Sequence, residues 1–185
     1  MISPVQTQKS RLKYLLSYND EVLTESTPED LEIKYVEIGD VKFDQGITNH
    51  TEYTFEKSPS RARRIVRDGD VILSTVRTYL EAVAGVSNPP ENLIVSTGFV
   101  VLRPDRQVFD PRYASYFFQT EYLLGDVVSK SVGVSYPAVR PEDIVSIGVD
   151  IPPLETQKQI ADFLDKETTR IDTLISKKQK QIELL

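Results

Sequence analysis

Short runs rich in valine and isoleucine alternate with turn-forming residues along most of the chain. Runs of this kind, bounded by Gly, Pro, Asn or Asp, are typical of β-strands. They predict strands at residues 35–41, 70–76, 80–86, 93–104 and 144–151. The apolar run at residues 11–17 is too short to distinguish a helix from a strand.

One stretch between the last two predicted strands has helical spacing instead. Asp110 is a suitable N-cap, and Pro111 suits the first helical position. The mostly apolar face that follows consists of Tyr113, Tyr116, Phe117, Thr120, Leu123, Leu124 and Val127. A helix over residues 110–131 among short strands predicts a mixed, strand-rich α+β globule.

The last segment has a different pattern. Pro152 and Pro153 end the preceding strand, with Pro153 suited to the first turn of a helix, and no Gly or Pro follows. An apolar stripe at helical spacing runs through Ile160, Phe163, Leu164, Ile171, Leu174, Ile175, Ile182 and Leu185. The pattern predicts one continuous helix over residues 155–185, about 46 Å long at 1.5 Å per residue.

This helix is expected to extend past the body of the protein. A globule of about 150 residues has a diameter of roughly 40 Å, and an exposed apolar stripe needs a partner helix. The residues expected to face that partner are Leu164, Ile171, Leu174, Ile175 and Ile182. Glu167, Lys178 and Gln181 interrupt the seam, so a self-pair should have modest affinity. The alternative is an ordinary terminal helix packed on its own domain.

The same boundary predicts a globular domain at residues 1–152 and a helical arm at residues 153–185. No stop signal follows Leu185, so the helix is expected either to have been cut there or to continue in a longer parent chain.

Composition allows a soluble globule. The hydrophobic fraction of 39% is enough for one core, and the absence of Cys excludes disulfides and cysteine-based metal sites. The start of the chain does not resemble a signal peptide, and no apolar run approaches the roughly 18 residues of a membrane span. We therefore expect a cytoplasmic protein without a membrane partner.

The charge is unevenly distributed. A net charge of −6 argues against unaided nonspecific binding to nucleic acid. However, the stretch SRARRIVR carries Arg61, Arg63, Arg64 and Arg67 with no acid before Asp68. One basic island therefore lies on an acidic protein.

Catalytic motifs are weak. His50 has no His or Cys near it in sequence, so it is not expected to bind a metal. Asn88-Pro89-Pro90 resembles part of an amino-methyltransferase motif, but Glu91 replaces its aromatic residue, and a turn is the preferred interpretation. Glu32-Ile33-Lys34 resembles a nuclease Glu-x-Lys, yet such triplets are common on solvated faces. We predict no catalytic residue, no cofactor and no metal.

Several stretches resemble one family when taken in order. They are GDVILSTVRTYLEAVAGV, VSTGFVVLRPD, DPRYASYFFQT and SVGVSYPAVRPEDIVSIGVDIPPLETQKQIADFLDKETTRIDTLISKKQKQ. From about residue 11 to residue 185 the chain resembles the specificity subunit of type I restriction–modification systems. The most specific part is the run from Ile151-Pro152-Pro153 into the long helix.

The resemblance implies a non-catalytic DNA-recognition protein. In this family a globular domain reads half of a bipartite sequence in double-stranded DNA, and a long helix follows it. Two such units alternate, and their helices pack antiparallel as a spacer. Methylation subunits dock on the spacer, carry the cofactor and the chemistry, and connect indirectly to the restriction subunit. This chain has one unit, so it is either a fragment or a half-size subunit that pairs with another copy.

Three short segments are candidates for DNA contact. Arginine binds phosphate bidentately, which favours the basic island, although a solvated loop is an equal alternative. The residues concerned are Arg61, Arg63 and Arg64 in the island, Arg77, Thr78 and Tyr79 after a strand, and Lys130, Ser131, Ser135 and Tyr136 in a glycine-containing loop. Arg77 could instead pair with an internal carboxylate, and the loop could be a plain connection.

Two other functions compete with DNA recognition. One is an assembly or scaffold protein that acts only through its C-terminal helix. The other is a nuclease or methyltransferase in its own right, which would turn over DNA or S-adenosylmethionine without partners. Replacing the arginine cluster should weaken DNA binding if the chain recognises DNA, which separates DNA recognition from a pure assembly role. Turnover of DNA or S-adenosylmethionine by the isolated chain would indicate an enzyme.

Overall fold

Two four-stranded sheets and a layer of helices form the body of the protein in its computed structural model, which describes residues 6–183. The strands are β1 (Gln8–Arg11), β2 (Leu16–Tyr18), β3 (Glu32–Val36), β4 (Val41–Lys42), β5 (Gly46–Ile47), β6 (Thr51–Thr54), β7 (Ala62–Ile65), β8 (Val71–Ser74), β9 (Val83–Gly85), β10 (Leu93–Ser96), β11 (Phe99–Pro104) and β12 (Gly148–Ile151). The helices are α1 (Pro111–Phe117), α2 (Glu121–Ser129), α3 (Pro141–Val145) and α4 (Leu154–Glu183). The predicted α+β class, with a strand-rich body and a long C-terminal helix, is confirmed.

The two larger sheets differ in strand direction. The first has the order β6-β3-β10-β7, in which β3 and β10 are parallel and the other neighbours antiparallel. The second has the order β2-β11-β8-β9 and is antiparallel throughout. Two small ribbons, β1 with β12 and β4 with β5, complete the pairing.

The sheets face each other across one apolar cluster. Val36 and Val95 of the first sheet meet Ile72, Phe99 and Val101 of the second. The other faces of β8 and β11 pack against α1, α2 and α3 in a separate cluster. The central strands are thus buried on both faces, which explains why their sequences are continuous apolar runs without alternation.

The single strand predicted at residues 93–104 is wrong, because it is two strands in two different sheets. The Thr97–Gly98 turn separates β10 from β11. A Cβ on Gly98 would lie 2.9 Å from Ile38 Cδ1, so only glycine allows this close approach without movement of a neighbour. Burial of both strands on both faces hid the break in the sequence pattern.

Two other predicted strands have different bounds. The strand predicted at residues 35–41 is β3, which ends at Val36 before a 3-10 turn at Ile38–Asp40. The strand predicted at residues 80–86 is the shorter β9, because Leu80 closes another 3-10 turn. A tight turn that contains apolar residues has the same sequence pattern as the end of a strand.

The prediction for residues 144–151 is wrong at its start, where Ile144 and Val145 belong to α3 rather than to β12. The ambiguous residues 11–17 run from the last residue of β1, through a 3-10 turn at Leu12–Tyr14, into the first two residues of β2. The strand predicted at residues 70–76 is confirmed as β8, which has the shorter range Val71–Ser74.

The helix predicted at residues 110–131 is two helices. Asp110 caps α1 by accepting hydrogen bonds from the amides of Arg112 and Tyr113, both at 3.0 Å. Helix α1 ends at Phe117, and Thr120 caps α2 by accepting a hydrogen bond from the Leu123 amide at 3.4 Å. The cap at Asp110 and Pro111 is confirmed, whereas helical continuity is not.

The long C-terminal helix is confirmed as α4, with Pro153 directly before it rather than in its first turn. The predicted helical positions 184 and 185 lie outside the described residues. The first part of α4 packs against α1, and every residue from Thr168 to Glu183 is exposed. The helix therefore extends past the body, as its length predicted. No helix within residues 6–183 is long and apolar enough to cross a membrane.

Candidate nucleic-acid interface

A strained turn follows strand β8. Arg77 and Glu81 flank the 3-10 turn Thr78–Leu80 with φ values of 51° and 49°. Residues other than Gly and Asn adopt this left-handed conformation at a cost of order 1–3 kcal/mol, and such strain clusters at functional sites. The Arg77 amide donates to the Pro137 carbonyl at 2.8 Å, which ties the turn to a second loop.

That second loop is anchored at its base. Val132 and Ala138 exchange two backbone hydrogen bonds of 2.8 and 3.0 Å, and the Val139 amide donates to the Thr75 carbonyl at 2.9 Å. The buried Thr78 hydroxyl lies 2.8 Å from the Ser131 hydroxyl. Residues 75–81 and 130–139, here called the paired loops, are therefore held as one unit.

The structure brings Arg77 and Tyr136 together. The Arg77 guanidinium carbon lies 5.0 Å from the centroid of the Tyr136 ring, within the range of a cation–π contact. Tyr79, Lys130 and Ser135 are exposed on the same paired loops. Thr78, by contrast, is buried and Ser131 half-buried, and the hydrogen bond between them helps to position the loops.

A turn connects the paired loops to the basic island. The Thr97 amide donates to the Arg61 carbonyl at 2.8 Å, and the Thr75 amide donates to the Gly98 carbonyl at 2.8 Å. The exposed Arg61 at the start of β7 thus lies at the same edge as the paired loops, with only the Thr97–Gly98 turn between them. The sequence does not reveal this neighbourhood.

The other island arginines have different surroundings. Arg63 donates to the Ala62 carbonyl at 2.8 Å and lies over Phe55, with 4.7 Å from its guanidinium carbon to the ring centroid. Arg64 is partly buried, and burial lowers its pKa. Its Nε has no hydrogen-bond partner among residues 6–183. Arg67 forms an ion pair with Glu21 at 2.7 Å.

An ionic network at the opposite end of β8 escaped the sequence analysis. Asp70 is buried and accepts from Arg103 Nε at 2.9 Å and from Arg103 Nη2 at 2.8 Å. Arg103 also pairs with Glu21. The hydrogen bond from Arg67, followed by that from Arg103, holds the pKa of Glu21 below its usual range. The Asp70 carboxylate is therefore structural.

Helix α4 is fastened to the domain by Gln157, which is fully buried. Its Nε2 donates to the carbonyls of Val108 and Pro152, both at 2.9 Å, and its Oε1 accepts from the Asp110 amide at 2.9 Å. Farther along, the Tyr116 hydroxyl donates to Asp165 at 2.8 Å. The orientation of the helix relative to α1 is thereby fixed.

Beyond these contacts the predicted partner stripe is largely open. Leu164 is half-buried, because it lies in the part of the helix that packs on the domain. The exposed members are Ile171, Leu174, Ile175 and Ile182. Nothing within the described residues covers them, so their assignment to a partner helix stays a prediction.

The residues considered for catalysis are dispersed. His50 is exposed, and the Asn88 amide donates to Asp68 Oδ1 at 2.8 Å in a bend with a φ of 46° at Asn88. Glu32 and Lys34 lie on β3. No group of three His, Cys, Asp or Glu side chains in the part of the chain described could hold a metal ion.

The chain resembles known proteins along most of its length. Residues 32–184 match a family model described as the type I restriction modification DNA specificity domain. The type I restriction enzyme HindI specificity subunit of Haemophilus influenzae is 26% identical over 157 residues, which are 81% of this chain and 33% of that protein. The chain thus spans about a third of the length of this curated relative.

Two solved structures share the fold. The HsdS subunit from Thermoanaerobacter tengcongensis has a TM-score of 0.80 and 29% identity, covering 92% of this chain and 44% of that chain. A chain from work on complex assembly and conformational transition of the type I R-M system has a TM-score of 0.78 and 28% identity, covering 100% of this chain and 48% of that one.

Proposed function

Because the chain belongs to the type I restriction–modification DNA specificity domain family, we propose that it reads one half of a bipartite target in double-stranded DNA. The face we assign to DNA consists of the paired loops, the Thr97–Gly98 turn and Arg61. In this proposal the chain acts in the cytoplasm, and the chemistry belongs to its partners.

The contact between Arg77 and Tyr136 carries the proposal. The two residues are distant in sequence, yet a strained backbone and the hydrogen bond from the Arg77 amide to Pro137 hold them side by side. A cation on a rigid aromatic support is oriented before it meets a base edge or phosphate, so less conformational entropy is lost on binding. Arg61 and Lys130 supply further positive charge for the phosphate backbone.

The paired loops and α4 have different roles in this proposal. The exposed stripe of α4 is suited to a second spacer helix, in the same parent chain or in another copy, and to helices of methylation subunits. Those methylation subunits would connect the restriction subunit indirectly. Residues 1–152 would then recognise DNA, and residues 153–185 would set the distance between two half-sites.

Selection from randomised duplexes tests target recognition. The chain is mixed with its methylation subunit, captured, and the bound DNA is sequenced. We expect one short sequence to be enriched, and that enrichment should weaken for Arg77→Ala. Failure to enrich any sequence would refute target recognition.

The salt dependence of binding tests the proposed face. Arg61→Ala and Arg77→Ala should each lower the slope of log affinity against log salt by about 0.9 if each arginine contacts one phosphate. Arg106→Ala is the matched control, since Arg106 is exposed and donates to the Asp68 carbonyl near the opposite end of β8. An equal change in all three variants would argue against this face.

An assembly protein acting only through α4 is the second candidate, because Ile171, Leu174, Ile175 and Ile182 form an exposed apolar stripe on this helix. It predicts partner binding without sequence preference in DNA. A nuclease or methyltransferase is a third candidate, which predicts turnover of DNA or S-adenosylmethionine by the purified chain. We expect no turnover, and reproducible turnover by clean protein would contradict the non-catalytic role.

A further inference from the structure

The tip of the second paired loop is unusually apolar for an exposed segment. Val134 is fully exposed at 102%, Val132 is 80% exposed and Tyr136 is 67% exposed. Isolated exposed apolar residues are normal, but these three lie on alternate positions of one short loop. None of them belongs to either sheet or to the long helix.

Hydrogen bonds and a close glycine contact shape the backbone of this tip. Gly133 has a φ of 119°, and a Cβ there would lie 3.2 Å from the Tyr136 carbonyl oxygen. The Val132–Ala138 hydrogen bonds close the loop at its base. A closed loop that keeps valine side chains in water is typical of a surface that is covered on binding.

The charges around the tip favour a nucleic acid as the covering partner. Arg77 lies over Tyr136, and Lys130 is exposed at the start of the loop. Glu81, at the end of the neighbouring turn, is the one acid within the paired loops. An apolar tip between two cations is complementary to a groove whose walls are phosphates and whose floor has apolar features.

Groove dimensions decide where such a tip fits. The major groove of B-DNA is about 12 Å wide and admits a two-stranded ribbon, whereas the minor groove is about 6 Å wide. Residues 132–138 form such a closed two-sided loop, with Val132 and Ala138 paired at its base. The apolar group that the major groove exposes on unmodified bases is the C5 methyl of thymine.

We propose that Val132 and Val134 contact thymine methyl groups in the major groove, so that the recognised half-site contains a thymine whose methyl is required. This inference rests on the proposed function and names what the paired loops read. Beside these valines, Arg77 would contact guanine or phosphate. The small branched side chains give a methyl contact rather than an intercalating wedge, for which proteins use larger residues.

Replacing thymine by deoxyuridine tests the inference without altering base pairing. The chain with its methylation subunit is first used to select its duplex, and each thymine of the half-site is then replaced singly. Loss of one buried methyl should weaken binding about fourfold at one or two positions. A selected half-site without thymine, or uniform affinity across all replacements, would overturn the methyl contact while leaving target recognition intact.

A double-mutant cycle assigns the methyl contact to the loop. Val134→Ser should reduce the thymine-to-uridine affinity ratio from about four to about one, with little effect on the uridine duplex. Val108→Ser is the control, since Val108 is also exposed but lies near the base of α4. If Val134→Ser and Val132→Ser both keep the ratio, the valines do not read the methyl. If no sequence is selected at all, both the inference and the proposed function fail.

Discussion

Replacing Gln157 by Ala should destabilise the protein strongly, although the residue lies at the start of a helix that is exposed along most of its length. The side chain is fully buried and makes three hydrogen bonds to backbone groups of Val108, Asp110 and Pro152. Removing it leaves an amide and two carbonyls without these partners, and a buried polar group without a partner costs about 1–3 kcal/mol. Taking the lower limit, three groups cost about 3 kcal/mol, out of a typical total of about 5–15 kcal/mol.

Urea unfolding, followed by tyrosine fluorescence and by circular dichroism, measures this loss. The matched control is Gln159→Ala, because Gln159 lies on the same helix two residues later and is exposed. Its free energy of unfolding should change by less than about 0.5 kcal/mol. A loss under about 1 kcal/mol in Gln157→Ala would refute the anchoring role.

Two further predictions concern charge and association. Because the pKa of Glu21 is lowered by Arg67 and Arg103, its ion pairs stabilise the fold above the usual glutamate pKa and are lost as pH falls through the lowered one. Urea unfolding from about pH 7 to pH 3 should therefore show a stability difference of about 1 kcal/mol or less between native protein and Glu21→Gln that disappears in acid. In sedimentation equilibrium the chain should self-associate through α4, and Ile171→Asp with Leu174→Asp should abolish this, since each buried Leu or Ile contributes about 1.5–3 kcal/mol.

The controls for these two experiments rely on side chains that are exposed to solvent. Glu91→Gln changes an exposed carboxylate that forms no ion pair within residues 6–183, so its stability difference should not depend on pH in the same way. The double aspartate variant should keep the thermal midpoint of the native chain, because both replaced residues are exposed. A monomeric native chain at every concentration, together with a less stable variant, would mean that these residues pack on their own domain.

The family and the fold class followed from the sequence, whereas element bounds often did not. The resemblance carried by the Ile151-Pro152-Pro153 run is confirmed by the family match. Val-rich runs revealed β8 and β11, but burial on both faces removed the alternation that would have separated β10 from β11. Strand β7 was missed because two of its four residues are arginines, and only Ala62 is fully buried there.

The candidate site shows a second limit of sequence reasoning. Arg77 and Tyr136 could be proposed separately as loop residues, but nothing in the local sequence predicts that the Arg77 guanidinium lies over the Tyr136 ring. Likewise Thr78 and Ser131, 53 positions apart, hydrogen-bond each other. Side-chain polarity indicates which residues can contact DNA, while tertiary packing decides which of them are already occupied.

The anchors hold the two parts of the proposed function, the paired loops and α4, in a fixed relation. Gln157 fastens α4 to the start of α1, and α1 packs on β8, β9 and β11. Strand β8 carries Arg77 just beyond its far end, while the Asp70–Arg103 network holds its near end. The connection from α4 to the paired loops thus runs through the buried Gln157, the packing of α1 on the sheet, and strand β8. Under the proposed function, a spacer can define the distance between two half-sites only if the domain does not pivot on its helix, and the hydrogen bonds of Gln157 and of Tyr116 with Asp165 oppose such a pivot.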